Sequence, residues 1–147
     1  MTTSRRTSDA DDVRSWATAA AQAADDKKAT DTVILEVGPV LAITDLFVIT
    51  SGSNDRLVRT IAEEVERKVK EVGGPAPIRI EGLDDARWVL MDYGDFVVHV
   101  FLEEARRYYD LERLWSDAAR VAWEPASPVA SSSPSSSASD RVAASGE

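Results

Sequence analysis

The chain has 147 residues, 44% of them hydrophobic, enough for one ordinary domain with a single core; it has no cysteine, which excludes disulfides, thiolate nucleophiles and thiolate metal sites. Its formal net charge of −9 argues against non-specific nucleic-acid binding, which needs Lys and Arg to neutralise phosphates, and favours docking onto a basic protein. No segment approaches the roughly 18 consecutive apolar residues of a membrane span, and Arg5-Arg6 is followed by Asp9, Asp11 and Asp12 rather than by an apolar signal region, so no signal peptide is expected.

Residues 1–8 are polar and are expected to be flexible. From Asp9 to Lys28 the pattern is helical: Ser8 or Asp9 can cap, acids crowd the first turn, and Val13, Trp16, Ala17, Ala20 and Ala24 share one face. Thr32–Val37 is β-branched and predicts a strand, ended by Gly38-Pro39. Asp45–Ser51 predicts a second strand, and its unbroken apolar run from Leu46 to Ile49 predicts burial on both faces at the centre of a sheet. Gly52-Ser53-Asn54 breaks that strand, and Ser53 or Asn54 is placed to cap a long helix reaching Val72. The apolar stripe of this helix is Leu57, Ile61, Val65, Val69 and Val72, and its solvated face suits pairs such as Glu63–Arg67 and Glu64–Lys68. Gly73-Gly74-Pro75 stops it.

Pro77–Glu81 alternates like a short strand. Two further apolar segments, Trp88–Met91 and Phe96–Leu102, flank Asp92-Tyr93-Gly94-Asp95, which predicts a tight hairpin with Tyr93 and Gly94 at its turn. A last helix is expected from Tyr109 to Val121, with Leu111, Leu114, Trp115 and Ala118 on one face. The stretch 124–147 is rich in Ser, Ala and Pro and is expected to be disordered, because it cannot bury enough apolar surface to offset chain entropy. The reading is one domain over 9–123 in the order α-β-β-α-β-β-β-α. That is an α/β (α+β) chain with a five-stranded mixed sheet packed by helices: a helical crossover permits a parallel pair and a tight hairpin demands an antiparallel one.

Four groups of residues invite chemistry. Gly52-Ser53, ending a strand and opening a helix, can cradle a phosphate. It also resembles the start of a nucleotidyltransferase site, but the metal-binding carboxylate pair that should follow on a strand is replaced by Glu63, Glu64 and Glu66 on a solvated helix face; a capped strand-to-helix turn accounts for it better. Asp92 and Asp95 can hold a divalent cation or do acid–base work, yet aspartates also favour turns for their own side-chain bonds. His99 is the single histidine, alternating opposite Val98 and Val100, and it lacks the partners of a catalytic site. Arg106-Arg107-Tyr108-Tyr109 combines residue types that stack on bases or anchor protein interfaces. The preceding Glu103-Glu104 weakens the first of these readings.

The runs Thr44–Arg56, Trp88–Val100 and Glu103–Trp115 together resemble the Iojap family, the ribosomal silencing factors. The likeness rests on Thr44-Asp45, Glu81-Gly82, Trp88, Asp92, Gly94-Asp95, Val98-His99, Arg107, Tyr109-Asp110-Leu111-Glu112 and Leu114-Trp115, with Leu46 where many members carry Cys. It covers about Asp12 to Trp115 and leaves the Ser-rich tail outside. The resemblance implies a nucleotidyltransferase-like fold without catalytic carboxylates, no enzymatic activity and no cofactor. It further implies binding to the large ribosomal subunit through that subunit's basic protein fourteen, in the cytoplasm, so that the small subunit cannot join and translation falls when nutrients run short. Members are also linked to late assembly of the large subunit. On this reading Trp88, Asp92, Asp95, His99, Glu103, Glu104, Arg107 and Tyr108 form the partner-binding set. A homodimer through exposed aromatics is also expected, and sequence-specific nucleic acid and membrane are not. The alternatives are a metal-dependent nucleotidyltransferase-like enzyme using Asp92 and Asp95, or a homodimeric ribosome-assembly interaction module.

Overall fold

The computed structural model describes residues 10–39 and 41–126; the expected flexible N-terminus and most of the expected disordered tail lie outside them. The elements are α1 (Ala10–Asp26), β1 (Thr30–Glu36), β2 (Leu46–Gly52), α2 (Asp55–Glu71), β3 (Arg79–Glu81), β4 (Trp88–Asp92), β5 (Phe96–Leu102), α3 (Glu103–Tyr109), α4 (Leu111–Leu114) and β6 (Ala119–Arg120). One mixed sheet runs in the order β3-β4-β5-β2-β1-β6. Only β2 and β5 are parallel, joined through the α2 crossover; the other neighbouring pairs are antiparallel.

The two faces of the sheet are treated differently. On one face α1 and α2 cover Ile34, Val48, Val89, Met91, Phe96, Val98 and Val100. The side chains α1 offers this layer are largely alanines, so α1 buries little area per residue and Trp16 adds a partly buried anchor. Asn54 caps α2 as its position suggests, its Oδ1 accepting from the Leu57 amide at 2.8 Å. Leu57, Ile61, Val65 and Val69 face the core, whereas Val72 lies past the helix end and is exposed. Arg67 binds Glu64 at 2.6 Å and Glu71 at 3.2 Å instead of the expected Glu63, because Glu64 is tucked against the surface where its carboxylate stays in reach. The opposite face carries a second, smaller core of Leu35, Val37, Phe47, Ile49, Phe101 and Ala105. All seven residues of β2 are buried, as expected of the central strand.

Two expectations are corrected. Tyr93 N–H donates to the Phe96 carbonyl at 3.0 Å, so the hairpin closes on Gly94-Asp95, one residue later than Tyr93-Gly94. Gly94 takes φ +86° at the first turn position, the place a type II′ turn reserves for glycine. Tyr93 therefore keeps strand alternation and turns inward, stacking on Phe96 with ring centres 4.5 Å apart. The second correction concerns the single helix expected from Tyr109 to Val121. Helix instead starts at Glu103, directly after β5, and breaks at Asp110, whose φ of 48° no α-helix accommodates. The chain then adds a sixth strand, pairing Ala119 with Glu36 and Arg120 with Leu35. Leu111, Trp115 and Ala118 still pack on the second core, while Leu114 is 73% exposed. Beyond β6 the chain stays attached: Trp123 Nε1 donates to the Thr32 carbonyl at 3.3 Å and Gln22 Nε2 to the Glu124 carbonyl at 2.9 Å.

Candidate docking face

The second sheet face is covered over β1, β2 and the end of β5 by α3, α4 and the segment after them. Over β3 and β4 it is half-open. Strand alternation places Val89 and Met91 beneath the helices and leaves Trp88, Leu90 and Asp92 on the other side, each partly exposed. Their cross-strand neighbours on this face are Phe101, His99 and Val97 of β5; Arg79 and Glu81 of β3 lie beside Asp92 and Leu90. The result is an apolar strip of Trp88, Leu90 and Val97 bordered by charge. Arg79 spans the border, with Nε 3.0 Å from Glu81 and Nη2 3.7 Å from Asp92. Asp92 also ties down the hairpin, its Oδ1 accepting from the Gly94 amide at 2.9 Å.

Trp88 sits at one end of this strip in a run of aromatic contacts. Its ring centre lies 4.9 Å from Phe101 and 4.8 Å from Tyr109, and Tyr109 meets Tyr108 edge-on at 5.1 Å. Its indole N–H donates to His99 Nδ1 at 3.0 Å. The His99 ring is packed edge-on against Phe47 at 4.6 Å, and Phe47 in turn against Trp115 at 5.6 Å. Burial depresses the His99 pKa to about 4, so the ring is neutral near pH 7. Gly82, with φ +91°, lies directly under the Trp88 carbonyl, where any Cβ would collide.

The expected partner-binding residues therefore do not form one patch. Trp88 and Asp92 share the half-open face. Asp95 occupies the hairpin turn at the Asp92 end, and its carbonyl accepts from the Asp45 amide at 2.9 Å. Tyr108, 80% exposed, joins the Trp88 end through Tyr109. His99, expected at the surface, is only 4% exposed and lies beneath this layer, because its position on β5 faces the second core. Glu104 is exposed on α3. Glu103 and Arg107 line a polar cleft of about 830 Å³ with Thr30, Asp31, Arg106 and Glu112. In that cleft the buried Arg106 guanidinium binds Glu112 at 3.0 Å, Ser51 Oγ at 3.1 Å and the Thr30 carbonyl at 3.2 Å, which pins α3 to the ends of β1 and β2.

Leu90, Val97 and Arg79 are face residues that the sequence reading missed; Tyr109, named there in an aromatic cluster, and Glu81, named in the family resemblance, were not assigned to this face. Period-two alternation from Trp88 through Leu90 to Asp92 was available as a signal for Leu90. Nothing in the sequence places Arg79 or Glu81 beside Asp92 and Leu90; only the pairing of β3 with β4 brings them to the face. Among the described residues no group of three or more His, Asp or Glu side chains converges as a metal site.

A family model described as "Ribosomal silencing factor during starvation" matches residues 10–146. The Ribosomal silencing factor RsfS of Bacillus subtilis is 46% identical over 99 residues, covering 67% of this chain and 83% of the relative. A mouse protein named "Mitochondrial assembly of ribosomal large subunit protein 1" is 33% identical over 92 residues, covering 61% of this chain and 40% of the relative. Among solved structures, a crystal structure of a Chromobacterium violaceum protein matches with a TM-score of 0.67 at 34% identity, covering 71% of this chain and 86% of that one.

Proposed function

Because the chain belongs to the ribosomal silencing factor family, we propose that it binds the large ribosomal subunit through that subunit's basic protein fourteen and keeps the small subunit from joining. The role is non-catalytic: the domain occupies space that the small subunit needs, and translation falls as a consequence. The setting is the cytoplasm. The observation that carries this reading is the half-open β3-β4-β5 face, where Trp88, Leu90 and Val97 form an apolar strip edged by Asp92 and Glu81. Apolar and aromatic groups ringed by charge are the make-up of a protein-docking surface, and carboxylates at the rim suit a basic partner by steering and register. The name of the mouse relative, which places that protein in large-subunit assembly, supports the same subunit as the partner. Tyr108 and Leu114, both largely exposed, are the side chains through which free copies would pair as a homodimer.

The test is co-sedimentation with purified large subunits, followed by a subunit-joining assay on sucrose gradients. The unaltered chain is expected to travel with large subunits and to deplete joined ribosomes. The double variant Asp92→Lys/Asp95→Lys loses the Asp92–Gly94 bond, so its fold is checked by circular dichroism; folded, it should lose co-sedimentation by at least tenfold in affinity, since it reverses charge at the hairpin end of the face. Unchanged joining at saturating protein would overturn the proposed role, and undiminished co-sedimentation of the double variant would overturn the assignment of this face.

A further inference from the structure

We propose that His99 is a positioning residue for docking: it touches no partner, but its Nδ1 lone pair fixes the Trp88 indole in the orientation in which Trp88 enters the partner. The inference rests on the docking face described above and assigns His99 a role within it.

The geometry supplies the argument. Trp88 is the largest side chain on the half-open strip, and a large ring on an edge-side strand would ordinarily sample several rotamers. Here it is held by Phe101, by Tyr109 and by the 3.0 Å bond to His99 Nδ1. The two rings are not directly opposite: Trp88 pairs with Phe101 and His99 with Leu90, so the indole leans along the strand to reach the imidazole. His99 has no comparable freedom, being 4% exposed at the middle of β5 and packed edge-on against Phe47.

A neutral imidazole that accepts at Nδ1 carries its hydrogen on Nε2. That buried atom has no hydrogen-bond partner among the described residues. An unpaired buried N–H opposes folding. Phenylalanine would fill nearly the same space on a face already lined by Phe47 and Phe101 and would remove the unpaired Nε2–H, leaving the indole N–H of the partly exposed Trp88 to turn to water. What histidine supplies and phenylalanine cannot is the acceptor for the indole. A merely structural role and a positioning role therefore predict opposite outcomes for the same substitution.

In the full chain, His99→Phe is expected to unfold at the same or higher urea concentration, yet to bind large subunits roughly five- to tenfold more weakly. The Trp88 ring would then have to be ordered at the moment of docking. The Trp88 indole N–H resonance should shift upfield and exchange faster with solvent. His99→Gln, which keeps an acceptor, should recover part of the affinity and of the indole protection. In a Trp88→Phe background, which has no indole N–H, His99→Phe should cost nothing further. Unaltered affinity of His99→Phe, alongside a clear loss for Trp88→Ala, would overturn the positioning role while leaving the docking face intact. Equal losses from His99→Phe with and without the Trp88→Phe substitution would overturn it as well, by showing that His99 acts on something other than the indole. Full affinity of Trp88→Ala would instead remove the docking face, and the positioning role with it.

Discussion

The imidazole of His99 makes stability depend on acidity in a direction that can be worked out. Its ordinary pKa is 6.5 and burial lowers it to about 4. Between those values the unfolded chain takes up a proton that the folded chain refuses, so stability is full above pH 6.5 and is lost as pH falls towards 4. At about 1.36 kcal/mol per pH unit, the loss reaches roughly 2–3 kcal/mol by about pH 4.5. Urea unfolding at neutral pH and at about pH 4.5 measures it, and His99→Phe should lack this component while keeping whatever the carboxylates contribute. That His99 faces away from Val98 and Val100 was legible from strand alternation. That it is buried was not, because burial depends on α3, α4 and Trp88 arriving over the same face from other parts of the chain. Asp92 was legible as a turn residue, and its bond to the Gly94 amide fits that reading. Its contact with Arg79 was not, since only the pairing of β3 with β4 brings the two together.

Among the elements, α3 depends most on a single side chain. This seven-residue helix has no side-chain cap at its N-terminus and ends at Asp110 in the left-handed region. Arg106 ties it to β1 and β2 through Thr30 and Ser51, and to Glu112 just beyond the break. Removing one side of a buried, hydrogen-bonded charge pair typically costs about 3–5 kcal/mol; Glu112 retains Arg120 at 3.8 Å, which places Arg106→Ala lower, at roughly 2–3 kcal/mol. Thermal or urea unfolding of that variant is the check. Loosening α3 should also free Tyr109 from Trp88 and weaken docking in parallel. The sequence disclosed an apolar periodicity in this region but not the break, because the positive φ at Asp110 answers to the geometry of docking α4 on the second core. By contrast α1, α2, β2 and the β4-β5 hairpin were legible, since each carries its own periodicity and its own stop signals.

For the whole molecule the relevant quantity is charge. On the proposed docking, a domain of net charge −9 would be steered to a basic partner by long-range attraction, and the apolar strip would hold the complex once formed. Raising salt from about 0.1 M to about 1 M shortens the screening length from about 10 Å to about 3 Å. Association with large subunits should therefore slow by tenfold or more, with a much smaller change in dissociation; stopped-flow mixing at the two salt concentrations separates the two rates. Faster dissociation at high salt, with association little changed, would mean that the charges act within the complex rather than on approach.

Periodicity, turn residues and charge were enough, from the sequence by itself, to determine a single acidic domain with a mixed sheet, a buried central strand and a hairpin rich in aromatic and acidic groups. The family resemblance rested on the same local runs, and those carry their information in neighbouring residues. Tertiary structure alone decided which sheet face stays half-open, that Glu103 and Arg107 line a separate cleft from Trp88 and Asp92, and that His99 stands behind the surface rather than on it. The physical reason is that exposure belongs to the arrangement of elements. A strand's alternation says which residues share a face, but only the packing of distant helices over the sheet determines which face water, or a partner, can reach.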